Sequence, residues 1–233
     1  MKNEILPSLA KLKFSESRLF QYCLAHYDSR GNENPTFGAS VEDLKRFFNI
    51  DYGNAYCVIR DAVVSLGSRP LQWREKNLRR VEHWFTGATY FEGEGMFEFR
   101  LNKAAEPYFL MLQEFFTRHR LDTAKSFKKA ASFKLYINLK QWEKTGRWEV
   151  ELDELRYRLG VTGKYPRWQT FKRCILAPTA DEINTHSDLT VTWRPIKRSR
   201  RIIGVVFRIK SRAAKSTSKA RQAHEGHQLL EAL

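Results

Sequence analysis

Cysteine is scarce and poorly spaced for chemistry. Only three occur in 233 residues, and Cys23, Cys57 and Cys174 form no C-x-x-C pair. Neither a zinc site nor a disulfide framework is indicated, and three reduced core thiols are expected. No apolar run reaches the roughly 18 residues a membrane-spanning helix needs, and neither end carries a lipidation signal. Met1 to Leu12 is too mixed for a signal-peptide core, so a cytoplasmic protein is expected. Catalytic patterns are missing too. His26, His83, His119, His186, His224 and His227 contain no His-hydrophobe-His pair of the sort that holds metal in rolling-circle nucleases. Gly160-Val-Thr-Gly-Lys164 lacks the spacing and the Ser/Thr of a phosphate loop. Asp153 with Glu154, and Asp181 with Glu182, are sequence neighbours that face different ways on a helix, so they suit surface charges better than an acid/base pair. No enzyme, metal or cofactor is expected. A strand-nicking nuclease is the enzyme-class alternative, and the missing metal-ligand spacing argues against it.

Acidic residues are in short supply as well. Against 41 Lys and Arg stand 26 Asp and Glu, leaving a formal charge of +15. From Leu189 to Gln222 there is no acidic residue at all, while Lys and Arg occur eleven times. Such a surplus gathers counter-anions and points to a polyanionic partner, most often nucleic acid. Hydrophobic residues at 42% and aromatics at 13% place the chain among folded proteins.

What is present is one pattern written twice. In the first half, Ser15 is a candidate cap for a helix carrying Leu19, Tyr22, Cys23, His26 and Tyr27 on one face. Asp28 to Gly38 reads as a loop. Ser40-Val-Glu-Asp43 opens a short second helix through Leu44 and Phe48, and a third runs from about Asn54 to Leu66 with Ile59, Val63 and Val64 inward. Strands are expected over Leu71–Arg74, Leu78–Tyr90 and Met96–Leu101, with a turn at Glu92–Gly95, and a helix over Ala104–Phe116. In the second half, helices are expected over Thr123–Trp142, Leu152–Leu159 and roughly Pro166–Asn184. Pro166 suits a first-turn position and Pro178 should kink the last helix. Thr190–Trp193 and Ile202–Ile209 make a hairpin. Val41–Ile50 lies over Leu152–Val161 at a constant offset of 111 residues, with apolar, acidic, acidic, leucine and basic types coinciding in order. The expected joint is Thr117–Asp122, dividing the chain into 1–116, 117–210 and a basic tail, 211–233. Ser216, Thr217, Ser218 and Gly226 leave that tail little apolar surface, so it is expected to be mobile.

Three helices followed by a basic hairpin are the parts of a winged helix, so the fold class is α+β with two tandem winged-helix domains. The third helix of such a unit enters the major groove and the hairpin lies on the flanking backbone. In the second half, Arg167, Gln169, Thr170 and Arg173 can meet base edges, while Lys164 and Lys172 can reach phosphates. Trp168, Phe171 and Ile175 form the inward face. Lys197, Arg198, Ser199, Arg200 and Arg201 occupy the hairpin tip. The first half offers Asn54, Tyr56 and Arg60 on its third helix and Lys76, Arg79 and Arg80 on a hairpin, diluted by Glu75, Glu82, Glu92 and Glu94. Direct DNA contact and a purely dimerising or scaffold role both fit that half.

Several stretches also resemble the initiator replication proteins of iteron-controlled plasmids. They are Ser132-Phe-Lys-Leu-Tyr136, Val150 to Arg156, Leu159-Gly-Val161, Tyr165 to Leu176, Pro178 to Asn184, Ser187-Asp-Leu189 and Val205 to Ile209. The first half is similar mainly in element order and around Glu106–Leu110. The resemblance implies two tandem winged helices, the C-terminal one gripping double-stranded origin repeats and the N-terminal one mixing DNA contact with dimerisation. It further implies a monomer–dimer equilibrium, origin opening, recruitment of the host initiator and replicative helicase, and repression of the protein's own gene. The alternative is a winged-helix transcriptional regulator without a replication role.

Overall fold

The computed structural model describes residues 6–27, 36–49, 53–75, 78–118 and 126–212. The first half runs α1 (Leu6–Ala10), α2 (Phe14–His26), β1 (Thr36–Ser40), α3 (Val41–Phe48), α4 (Ala55–Gly67), β2 (Pro70–Glu75), β3 (Leu78–His83), β4 (Phe85–Phe91), β5 (Met96–Leu101) and α5 (Glu106–Arg118). The second runs α6 (Ala130–Gln141), β6 (Arg147–Glu151), α7 (Leu152–Arg158), α8, β7 (Leu189–Arg198) and β8 (Arg201–Ser211). Helix α8 is continuous but built in three pieces: Trp168–Phe171, a π-helical turn Lys172–Leu176, and Ala177–His186.

Two winged helices result, and the duplication is topological as well as literal. Three-stranded antiparallel sheets are ordered β1-β5-β4 in the first half and β6-β8-β7 in the second. In each, a strand leads directly into the short second helix, and a hairpin follows the third. Strands β1 and β6 are absent from the sequence expectation. Both are five residues long, too short for alternation to stand out, and the expected loop to Gly38 therefore ends in a strand. The expected single strand Leu78–Tyr90 is two strands in different sheets. Between them Trp84, fully buried, turns inward and packs edge-on against Phe20 at 4.9 Å. Strands β2 and β3 form a separate two-stranded sheet with no counterpart in the second half.

Helix starts follow from local chemistry. Ser40 caps α3, its Oγ accepting from the Asp43 amide at 3.0 Å while Asp43 Oδ2 accepts from the Ser40 amide at 3.1 Å. Helix α2 begins one residue before the expected cap, so Ser15 lies inside its first turn. Its entry is secured by Glu16, whose Oε2 accepts from the Lys13 amide at 2.8 Å. Val64, expected inward, is 61% exposed, because the buried stripe of α4 is Ile59, Ala62, Val63 and Leu66 and Val64 stands about 100° away from Val63. Of the cysteines only Cys23 is buried, while Cys57 and Cys174 are exposed on the outer faces of α4 and α8. Helix α6 starts at Ala130 rather than Thr123. Residues 119–125, with most of the expected joint, lie outside the described residues, and Thr117 still belongs to α5.

Pro166 precedes α8 by two residues, and Pro178 stands second in its last piece, directly after the π-helical turn. A proline at position i lacks the N–H for an i→i−4 bond and its ring presses on the carbonyl four residues back. Here the preceding turn is widened instead, the Ala177 amide donating to Lys172 O, five residues back. The widening also suits the core: Phe171 and Leu176, five apart, are both fully buried, a spacing that one α-turn cannot bring to the same face.

The two halves share one hydrophobic cluster running from Leu9 to Ile209. Every residue from Ala131 to Lys140 of α6 is buried, and several of its polar groups are bonded from neighbouring elements. Ser132 Oγ donates to Glu182, Lys140 Nζ reaches Asp188 at 2.8 Å, and Arg158 Nη1 donates to Asn138 Oδ1 at 2.9 Å. Lys134 Nζ donates across the seam to the Ala10 carbonyl at the end of α1, and burial draws that ammonium down to about 8. Helix α1 is a bracket: the Gln72 amide of β2 donates to Ser8 Oγ at 2.9 Å on one side, while Ala10 meets Lys134 and Gly160 on the other. Arg18 adds a bond to Phe127 O at 3.4 Å. Beside it, burial opposes ionisation of Glu16, but hydrogen bonds from Arg69 (2.8 Å at the nearer oxygen), Ser65 and the Lys13 amide hold its carboxyl below the usual carboxylate range.

Candidate nucleic-acid interface

The second winged helix presents an open groove of about 1850 Å³ between the start of α8 and the β7–β8 hairpin. Helix α8 contributes Arg167, Trp168, Gln169, Thr170, Lys172 and Arg173 to it. The hairpin contributes Lys197, Arg198, Arg200 and Arg201 with the apolar Ile202 and Ile203. Thus nine of the eleven residues expected from sequence in the second half converge on one concave surface. Lys164 and Ser199 do not line it: Lys164 is exposed in the loop ahead of α8, and Ser199 sits at the hairpin turn with φ 56°.

Position follows from packing. Phe171 is buried, and Trp168, half-buried, stands edge-on to Trp193 of β7 at 6.2 Å. These two anchors turn Arg167, Gln169, Lys172 and Arg173 outward, where all four are exposed, with Thr170 half-buried between them. Arg167 is the helix N-cap and offers no side-chain cap, so the first backbone N–H groups of α8 are open to an anion. The hairpin is held close to β6 by Gly204, where a Cβ would stand 2.6 Å from Val150 O. A register shift between Ile196 and Lys197 leaves Ile203 without a partner in β7, and it is 43% exposed.

Charge decides what the groove can hold. Arg167, Lys172, Arg173, Lys197, Arg198, Arg200 and Arg201 have no ion-pair partner among the described residues. Clustered like charges destabilise the folded state unless an anion neutralises them. Three acids reach the rim, Glu151, Asp153 and Asp181, and Asp153 is held by Arg156 at 2.9 Å. Arg156 was missed in the sequence. It lines the groove yet its side chain is only 13% exposed.

The corresponding face of the first half differs in kind. Arg60 is paired with Asp61 at 3.2 Å, and Tyr56 Oη donates to Glu42 Oε1 at 3.2 Å. Asn54 is the exposed N-cap of α4. The wing that matches β7–β8 is β4–β5, whose turn is Glu92-Gly93-Glu94-Gly95, acidic where the other is basic. Arg79 and Arg80 lie on a hairpin as expected, but on β3 of the separate β2–β3 pair rather than on β4–β5. Lys76 lies outside the described residues. Ser211 still belongs to β8, and the Arg212 amide donates to Asp188 O at 2.7 Å. The expected mobile tail thus begins no earlier than 213, and those residues too lie outside the described set. Among the described residues no group of His, Cys, Asp and Glu could hold a metal ion, and no helix is long and apolar enough to cross a membrane.

Comparison with known proteins gives the same two units. A family model described as Initiator Replication protein, WH1, matches residues 1–140, and one described as Initiator Rep protein, WH2, matches residues 151–209. A replication initiation protein of Escherichia coli is 25% identical over 219 residues, covering 89% of this chain and 67% of its own length. The crystal structure of the Pi initiator protein in complex with iteron DNA superposes with a TM-score of 0.70 at 20% identity, covering 89% of this chain and 94% of that one. Domains 2 and 3 of RctB give a TM-score of 0.56 at 14% identity, covering 90% of this chain and 83% of that one.

Proposed function

Because the chain belongs to the initiator replication protein family, we propose that it starts replication of the DNA carrying its gene by binding repeated duplex sites, iterons, at the origin. In this reading monomers load on the repeats, the origin opens, and the host initiator and replicative helicase are brought in, while dimers repress the protein's own gene. The unit that ends with β8 at Ser211 is the main reader, the unit that ends with α5 at Arg118 serves dimerisation and auxiliary contact, and the residues from 213 on are a basic tail.

The observation that carries this is the set of unpaired cations in one groove between a helix and a wing. A duplex supplies what that groove lacks, with phosphates for the wing and base edges for the helix. Arg167, Gln169, Thr170 and Arg173 read bases; Lys164 and Lys172 hold phosphates; Lys197 to Arg201 grip the backbone. Asn54, Tyr56, Arg60, Lys76, Arg79 and Arg80 are auxiliary contacts, and Arg60 has to exchange Asp61 for a phosphate to serve as one. The Pi initiator, which shares the fold, was solved on iteron DNA.

Footprinting the DNA beside the gene tests this. Protection of regularly spaced direct repeats is expected, with affinity falling against salt at a slope near −5 for about six neutralised phosphates. Arg200→Ala with Arg201→Ala should weaken all sequences alike. A single protected palindrome, and a plasmid that replicates without the gene, would instead leave a transcriptional regulator.

A further inference from the structure

Helix α8 has no side-chain cap, and the loop before it holds a strained residue. Tyr165 adopts φ 54°, a region that non-glycine residues enter only when the surroundings impose it. Pro166 follows, then Arg167 in extended conformation with φ −78° and ψ 129°. This path is held from outside the loop by the packing of Tyr165 against the core and by a hydrogen-bonding group. Arg156, on α7, directs Nη2 at two consecutive carbonyls, Tyr165 O at 3.2 Å and Pro166 O at 3.0 Å. Its Nη1 donates to Asp153 Oδ1 at 2.9 Å, and its guanidinium lies 5.4 Å from the centre of the Phe171 ring.

We propose that Arg156 is a positioning residue for sequence recognition: by clamping the Tyr165 and Pro166 carbonyls it sets where Arg167 and Gln169 enter the DNA groove. This rests on the reading that the start of α8 meets base edges. The geometry favours positioning over direct DNA contact. Nη2 is spent on the loop, Nη1 is held by Asp153, Nε is buried, and the side chain is only 13% exposed. The planar fork matters, because a lysine ammonium at this site can replace at most part of a two-carbonyl clamp. Bidentate base reading depends on placement to a fraction of an ångström. Phosphate gripping by the flexible wing cations does not. Loosening the loop should therefore degrade discrimination before it degrades binding.

The experiment uses the full chain and two duplexes, one enriched by the protein from a random-sequence pool and a scrambled control. Arg156→Gln should lower affinity for the enriched duplex about tenfold or more, the scale of a lost base contact, and leave the scrambled duplex within about twofold and the salt slope unchanged. Arg156→Lys should fall between Gln and the parent. In an Arg167→Ala background Arg156→Gln should lose the share of its effect that runs through Arg167 and keep only what it does to Gln169. Equal losses on both duplexes with the slope reduced by about one charge would make Arg156 a phosphate contact and overturn the proposal, as would a full additive loss beside Arg167→Ala. An Arg167→Ala change that lowers affinity for both duplexes equally would remove the base-reading premise instead. Should Arg156→Gln fail to fold, the lysine variant carries the same comparison, and a lysine variant as selective as the parent overturns the clamp.

Discussion

At the scale of single residues, what decides a role here is the partner rather than the side chain. Arg60 and Arg167 both sit at third helices and look alike in the sequence. Arg60 is bound to Asp61, however, and Arg167 has no anionic partner among the described residues. Neighbouring helical positions do not ordinarily face one another, so the neutralisation of Arg60 could not be read from spacing. Arg156 escaped notice for the converse reason: one arginine among many, it owes its role to carbonyls nine and ten residues away. Two glycines give a residue-scale prediction. Gly160 and Gly163 both have positive φ, 72° and 74°. A Cβ on Gly160 would lie 2.5 Å from Ala10 O, whereas Gly163 has nothing within 4 Å. Gly163→Ala should cost about 1 kcal/mol, the conformational share alone, and Gly160→Ala clearly more, about 2–3 kcal/mol. Urea unfolding of the two variants side by side checks this, and equal midpoints would mean that the Ala10 contact is soft.

Among the elements, the third helices and the basic hairpin were legible, because caps, 3.6-residue periodicity and charge all agree there. The short strands β1 and β6 were not, since sheet pairing with β5 and β8 makes them and that partner is distant in the chain. The π turn of α8 was half legible. Pro178 announced an irregularity, but its form follows from Phe171 and Leu176 both being drawn into the core. Removing Cys174 restores a four-residue spacing between those two anchors, while forcing Pro178 into an ordinary α-turn. The deletion alone should therefore cost about 3 kcal/mol, the usual penalty of an interior proline. Adding Pro178→Ala should recover most of that. Thermal unfolding of the deletion with and without the second change reads it out, and no recovery would show that the widened turn is held by something other than the proline.

For the molecule as a whole, composition foretold the charge and the repeated pattern foretold the tandem order of elements, and both halves belong to one family. The seam between the halves was invisible in the sequence. It is made by α1, five residues long, and by polar atoms such as Lys134 Nζ and Ala10 O that meet across 124 positions of chain. Periodicity cannot register such contacts, because they depend on how two finished units come to rest. Their consequence is thermodynamic. Two modules on a slack tether melt separately, each with its own transition. Here neither half can open without exposing Leu9, Leu12 and the polar face of α6 that the other covers. Calorimetry should accordingly record one endotherm with van't Hoff and calorimetric enthalpies in agreement, two winged helices that are a single cooperative body.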